Sequence, residues 1–264
     1  MRIFIYVVCI LVVGLLLILN PEKKETCKNF DGEPLIRVLN DSVRFNVLLS
    51  TGDAPTDSPN YRFTGLADGI GSYKLDDENS IIIVNHELGG LQGALRAHGT
   101  KGAFISKWTF NRNSKKVIKG EDLIQKVNTY NPDNKINTNN SNVIQRLCSG
   151  DLPLQSSLFF KDGSVEYGTR EKIFFSGEEL STFKSNRHGR AFAHVLSGNE
   201  YAGKSFELSL FGKMAFENIV LSTYPQKLTI AMLLDDATNF HYDKPKSAEE
   251  LLNIKKNPPS ELYV

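Results

Sequence analysis

The chain is poor in cysteine and tryptophan, with three of the first and one of the second in 264 residues, and neither charge dominates at a formal net charge of +1. So few cysteines exclude a small disulfide-stapled scaffold. The balanced charge, with Lys and Arg scattered along the chain, gives no electrostatic footprint for nucleic acid, and that class of partner is set aside. Helical periodicity is scarce, and no crisp internal repeat is visible to decide between β architectures. What is present is ordinary globular composition, 41% hydrophobic and 23% charged, enough for a sizeable core.

One long apolar run stands out, Ile3 to Leu19, preceded by Arg2 and closed by Asn20-Pro21-Glu22-Lys23-Lys24. At about 1.5 Å per residue it nearly matches roughly 30 Å of hydrocarbon. Residues 1–20 therefore read as a signal peptide or membrane anchor, and the lack of a small-x-small cleavage site favours the anchor, with the membrane crossed by residues 3–19 if uncleaved. Residues 21–40 read as a linker, and residues 41–264 as a domain outside the cytoplasm, in the periplasm or at the cell surface. In such a compartment Cys27 and Cys148 can pair as a disulfide, or Cys148 can serve as a thiol ligand. Nothing in the sequence specifies an oligomeric state.

Beyond the linker the pattern is all-β. Strands are expected at Val43–Leu49, Tyr61–Leu66, Ile81–Val84, Gly102–Phe110, Lys116–Lys119, Lys172–Ser176, Arg190–Leu196, Ser205–Leu210 and Leu228–Leu234. In Phe104 to Phe110, Phe104, Ser106, Trp108 and Phe110 share one face and Ile105, Lys107 and Thr109 the other, as on a sheet with one buried face. Clusters such as Ala67-Asp68-Gly69-Ile70-Gly71 and Lys161-Asp162-Gly163 read as turns. Glu121–Val127 fits either a short helix or a strand, and Ser247–Lys256 fits a terminal helix capped by Ser247. Many short strands at regular spacing suggest a sandwich or a propeller.

Five segments repeat one chemical theme, acidic or soft ligands at the end of an apolar run or beside glycine. They are Asn85-His86-Glu87, Leu147-Cys148-Ser149-Gly150, Phe174-Phe175-Ser176-Gly177-Glu178-Glu179, Phe216-Glu217-Asn218 and Leu233-Leu234-Asp235-Asp236. Neighbouring carboxylates on a strand face opposite ways, so one of Glu178 and Glu179, and one of Asp235 and Asp236, is expected to point inward. Gathering such carboxylates without a cation is costly, so convergence implies metal. Hard oxygens suit calcium or ferric iron, while a thiolate favours a transition metal.

With Leu66-Ala67-Asp68-Gly69-Ile70-Gly71, Arg96-Ala97-His98-Gly99, Gly189-Arg190-Ala191-Phe192-Ala193-His194 and Leu210-Phe211-Gly212-Lys213 added, these segments resemble, in order, the PhoX-type alkaline phosphatases and their relatives, over residues 61–240. The resemblance implies a six-bladed β-propeller whose central channel holds Ca2+ and Fe3+ and acts on small phosphate monoesters. It further implies metal ligation by Glu87, Cys148, Glu178 or Glu179, Glu217, and Asp235 or Asp236, with Arg96 and His98 as catalytic candidates. Arg96 can bind phosphate through its forked guanidinium or pair with Glu87 or Asp68. The chain departs from the family pattern with Leu147 before the cysteine, Gly177 in place of a second cysteine, Phe216 before Glu217 and Leu234 before the aspartates. At roughly 40 to 50 residues per blade the chain supplies about four to five blades, so an incomplete ring is expected, either a fragment or one finished by another chain. Two other functions fit the same residues: a calcium-dependent propeller lactonase or esterase, and a non-catalytic propeller stiffened by metal.

Overall fold

The computed structural model describes residues 36, 38–130, 135, 142–182, 187–198, 200–236 and 261–263. The apolar run 3–19, the linker's first part and the helix expected at 247–256 lie outside them. No helix of the described residues is long and apolar enough to cross a membrane.

The chain divides into two units, Met1–Ser50 and Thr51–Val264. In the first, Asn40 closes a turn by accepting from the backbone N–H of Ser42 at 2.9 Å. The strand expected at Val43–Leu49 is absent, and Val43, Phe45 and Leu48 are exposed. Without a partner strand to take its backbone groups, an apolar stretch gains nothing from extended pairing.

The second unit is all-β, and its described residues include one helical turn at Gln155–Leu158 and a 3-10 turn at Ser209–Phe211. Among the described residues its strands form five sheets, none closed on itself. The first sheet is a four-stranded meander of β1 (Ala67–Lys74), β2 (Asn79–His86), β3 (Phe104–Asn111) and β4 (Lys116–Asp122). In the second, β8 (Lys172–Gly177), β11 (Ala191–Ser197) and β12 (Lys204–Glu207) run antiparallel, and β5 (Lys126–Asn128) adds in parallel beside β12. A third sheet joins β13 (Phe216–Leu221), β14 (Ala231–Asp235) and β15 (Glu261–Tyr263). The hairpin β6 (Phe159–Asp162) and β7 (Val165–Gly168) turns at Gly163, as its Lys-Asp-Gly sequence predicts. The pair β9 (Ser181–Thr182) and β10 (Arg187–His188) completes the set.

Three expectations are corrected here. Ala67–Gly71 belongs to a strand, not a turn, because its glycines serve close packing: a Cβ on Gly69 would stand 2.4 Å from the backbone nitrogen of Gly150. Tyr61–Leu66 is irregular, with Leu66 at a left-handed φ of 56°, since Tyr61 and Phe63 leave the sheet direction to pack on Trp108. The strand β3 is covered on both faces at its start, where Phe104, Ile105 and Ser106 are all buried. Glu121–Val127, open between helix and strand, divides between the end of β4 and the start of β5.

Each four-stranded sheet is pinned by a buried histidine bonded to a serine on the next strand. In the first, His86 on β2 meets Ser106 on β3 at 2.8 Å, and Trp108 donates to the same hydroxyl at 2.6 Å. In the second, His194 on β11 meets Ser205 on β12 and Ser176 on β8, both at 2.7 Å. Burial holds His86 down at about 4 and His194 at about 3, so both imidazoles are neutral at ordinary pH. The main core joins Ile81, Ile83 and Ile105 of the first sheet to Phe174, Phe192 and Leu196 of the second, so the two pack as one body. A second core under the third sheet contains Phe175, Phe216, Ile219 and Leu233.

Candidate metal centre

The three larger sheets bring carboxylates to one place around Cys148. Asp68 comes from β1, Glu87 follows β2, Glu179 follows β8, and Glu217 sits on β13. Ligand atoms of Asp68, Glu87 and Cys148 all lie within 4.8 Å of one another, and so do those of Cys148, Glu179 and Glu217. The thiol is the shared corner. It is buried, whereas Asp68 and Glu217 are exposed, so the cluster has a closed floor and an open rim.

Two tight backbone approaches make this convergence. Gly69 donates to the carbonyl of Cys148 at 2.9 Å, and the missing Cβ lets β1 lie directly on Ser149 and Gly150. At Gly177 a Cβ would come within 2.2 Å of the Cβ of Phe216, so only glycine lets β8 reach β13. The first approach sets Asp68 beside Cys148, and the second sets Glu179 beside Glu217. Between them, the segment carrying Cys148 is fixed by Arg146 N to Leu88 O and Glu179 N to Arg146 O, both at 2.9 Å.

Electrostatics match this crowding. Burial raises the Cys148 thiol far above its ordinary value, and Glu179 and Glu87 push it higher, so Sγ stays protonated and donates to Glu179 Oε2 at 2.9 Å. Partial burial raises Glu217, reinforced by the charges of Glu179, Asp236, Asp68 and Glu87. Partial burial and Glu87 likewise raise Asp68. Against these acids the described residues set one guanidinium in contact, Arg146, whose Nη2 lies 2.8 Å from Glu87 and 2.5 Å from Glu179.

Not every residue proposed from sequence joins the cluster. Of the pair left open, Glu179 faces Cys148, whereas Glu178 is buried and bound by Arg190 Nε at 2.7 Å and Nη2 at 2.8 Å. Glu178 also accepts from the backbone of Gln145 at 2.9 Å. Asp235 accepts from the backbone of Ala215, while Asp236 stands close enough for its charge to act on Glu217. Arg96 pairs with Asp122 at 3.4 Å and with Thr64 at 2.9 Å, not with Glu87 or Asp68. Its guanidinium lies over the Phe104 ring at 3.4 Å. His98 is buried beside Arg96 and Asp122, outside the two triads around Cys148. Cys148 carries a free thiol, and Cys27 lies outside the described residues.

Sequence reasoning missed Asp68 and Arg146 as members. Asp68 was visible only as part of a glycine-rich motif that reads as a turn, and Arg146 only as a neighbour of Cys148.

The donor set suits a cation. Four carboxylates and a thiol supply the hard and soft ligands of a metal site. Two buried polar atoms of residues that neighbour the cluster in sequence, Asn85 Oδ1 and Ser149 Oγ, have no hydrogen-bond partner among the described residues, while the Asn85 amide nitrogen holds the Ser149 carbonyl. Buried polar atoms are paired in nearly all native structures, so these two are open to a ligand or water. Comparison of the chain with protein-family models, with curated proteins and with solved structures finds no match in any of the three.

Proposed function

We propose that this chain is an exported, metal-dependent hydrolase of small phosphate monoesters, built as part of a β-propeller with the Cys148 cluster in its channel. One observation carries the reading: Asp68, Glu87, Cys148, Glu179 and Glu217 converge from three separate sheets. The sequential four-stranded meander is the unit from which propeller blades are made, and the buried His–Ser pair recurring in the second sheet supports a common blade plan. Asp68, Glu87, Cys148, Glu179 and Glu217 would hold the metal, with Ca2+ and Fe3+ the ions that the resemblance implies.

When bound, such ions stabilise negative charge on phosphoryl oxygens and lower the proton affinity of a bound water. The chain's own residues supply the rest. Gly69 and Gly177 hold the walls close, and the buried floor at Cys148 excludes solvent from one side. Arg190 and Glu178 fix the segment after β8 from beneath, which makes them positioning residues.

The test is metal analysis together with phosphomonoester turnover. Purified protein should contain bound metal, lose it with chelator, and regain turnover on Ca2+ and iron; Cys148→Ala should lose the iron and the activity together. Metal without phosphate-ester turnover but with lactone or ester cleavage would transfer the site to a lactonase. A second reading, a metal-stiffened binding propeller, is favoured by the placement of Arg96 and His98 away from the cluster, and metal with no turnover of either kind would establish it.

A further inference from the structure

Arg146 occupies an unusual position in the cluster. A single guanidinium nitrogen, Nη2, touches Glu87, a member of one triad, and Glu179, a member of the other. The Glu179 oxygen it binds, Oε2, is the one that also accepts from the Cys148 thiol. Nη2 therefore lies where the two triads meet, and it supplies the positive charge that the carboxylates there require.

The backbone is built to present that side chain. Arg146 has a φ of 46°, in the left-handed region that a residue with a long side chain seldom adopts. Its N–H is tied to Leu88 and its carbonyl to Glu179, so the main chain is clamped between the segments that carry the two glutamates. The side chain is not buried with them: it is 45% exposed, free to leave by the rim without disturbing the floor. Glu178–Arg190 is the contrasting arrangement, with the arginine only 14% exposed and bonded through two nitrogens. That pair has no path to open.

We propose that Arg146 is a tethered counter-cation that competes with metal for Glu87 and Glu179, and that it sets the affinity of the cluster for its ions. The inference rests on the metal reading above. With no metal bound, the guanidinium neutralises the meeting point of the triads and keeps the acids from repelling one another. A cation entering the cluster must break both ion pairs, and Arg146 then swings to the rim. Removing the guanidinium therefore strengthens cation binding and weakens the metal-free fold, the reverse of what loss of a ligand or a scaffold residue does to binding.

The experiment titrates full-length wild type, Arg146→Gln and Arg146→Lys with Ca2+ and, anaerobically, with Fe2+, by calorimetry. Each of the two half-exposed ion pairs that a metal must break is worth at most about fivefold, so Arg146→Gln should bind about two- to thirtyfold more tightly than wild type, and Arg146→Lys close to wild type. Should Arg146→Gln fail to fold, the wild-type protein gives the answer alone: the side-chain NMR signals of Arg146, held by two carboxylates, should move to those of a free guanidinium on adding the metal. Equal or weaker binding by Arg146→Gln while wild type binds well, or guanidinium signals that ignore the metal, would overturn the competitor role and leave the metal reading standing. Binding by the variant alone would support both. No binding by any of the three proteins would overturn the metal reading and this inference with it.

Discussion

Glu178 and Glu179 are adjacent in sequence, and the structure gives them opposite work, which a pair of glutamines should expose. Glu178 is 1% exposed in its side chain and takes two bonds from Arg190, itself 14% exposed, as well as backbone bonds from Gln145 and Arg190. Glu178→Gln keeps the shape but strands the Arg190 charge. Breaking a buried ion pair from one side costs about 3–5 kcal/mol. Against a typical domain stability of about 5–15 kcal/mol, that is a large part of the whole.

Glu179→Gln should behave differently. It removes a charge from a place where Glu87 and Glu217 already crowd, and its losses are an exposed partner for Arg146 and the acceptor of the Cys148 thiol. The change in stability should stay within about 1 kcal/mol, since such half-exposed pairs contribute little. Urea unfolding can be followed on Trp108, the one tryptophan, which is buried against Tyr61 and Phe63. Metal content is measured on the same samples. The expected pattern is a fold loss without ligand loss for Glu178→Gln, and ligand loss without fold loss for Glu179→Gln. The reversed pattern would refute the assignment of Glu179 to the cluster.

Other outcomes follow from single contacts. Gly69→Ala drives a methyl into the Gly150 backbone, which cannot rotate away, so it should cost about 1–3 kcal/mol in urea unfolding and lower metal affinity, whereas Gly52→Ala, strained by its φ of 95° but with open space around it, should cost stability and leave metal binding unchanged. Arg96→Gln should lose about 1–3 kcal/mol through its Asp122 and Phe104 contacts with no change in KM for a phosphate ester; a raised KM at unchanged stability would make Arg96 a substrate group. In acid, His86 and His194 have folded values of about 4 and about 3, below the unfolded 6.5, so the unfolded chain binds more protons and stability falls as pH drops from 6.5 through those values. Thermal melts across that range should show it, and imidazole NMR signals that titrate near the ordinary 6.5 would contradict the neutral buried imidazoles. Asp68 and Glu217 act in the opposite sense, since raised carboxylates favour the folded state as pH falls, and bound metal should remove their contribution.

The parts of the fold that show in the sequence are those where burial writes a pattern. Ile81-Ile82-Ile83-Val84 is a strand buried between two neighbours, and its run of branched residues says so directly. The strand β1 hides for the opposite reason: its positions are mostly exposed, and its Asp-Gly-Ile-Gly sequence carries turn residues whose actual use is to let another backbone approach. At the site, Glu87, Cys148 and Glu217 are findable because each interrupts or ends an apolar segment. The choice between Glu178 and Glu179 is not, because alternation gives one inward side chain without saying whether inward means the cluster or Arg190. Arg146 shows only as a neighbour of Cys148, since its role comes from a left-handed backbone and two partners remote in sequence.

The three-sheet origin of the cluster ties its chemistry to the integrity of the fold. Each sheet contributes at least one carboxylate, and the close approaches at Gly69 and Gly177, with the backbone bonds of Arg146 to Leu88 and Glu179, keep those carboxylates within reach of Cys148. Loss of any one sheet therefore dissolves the site. Conversely, a ligand held by all three adds its binding energy to every interface between them, about 2.7 kcal/mol at a hundredfold excess over Kd. On the proposed reading the metal is thus as much a fastener as a reagent, and Arg146 is what holds the same place, more weakly, before the metal arrives.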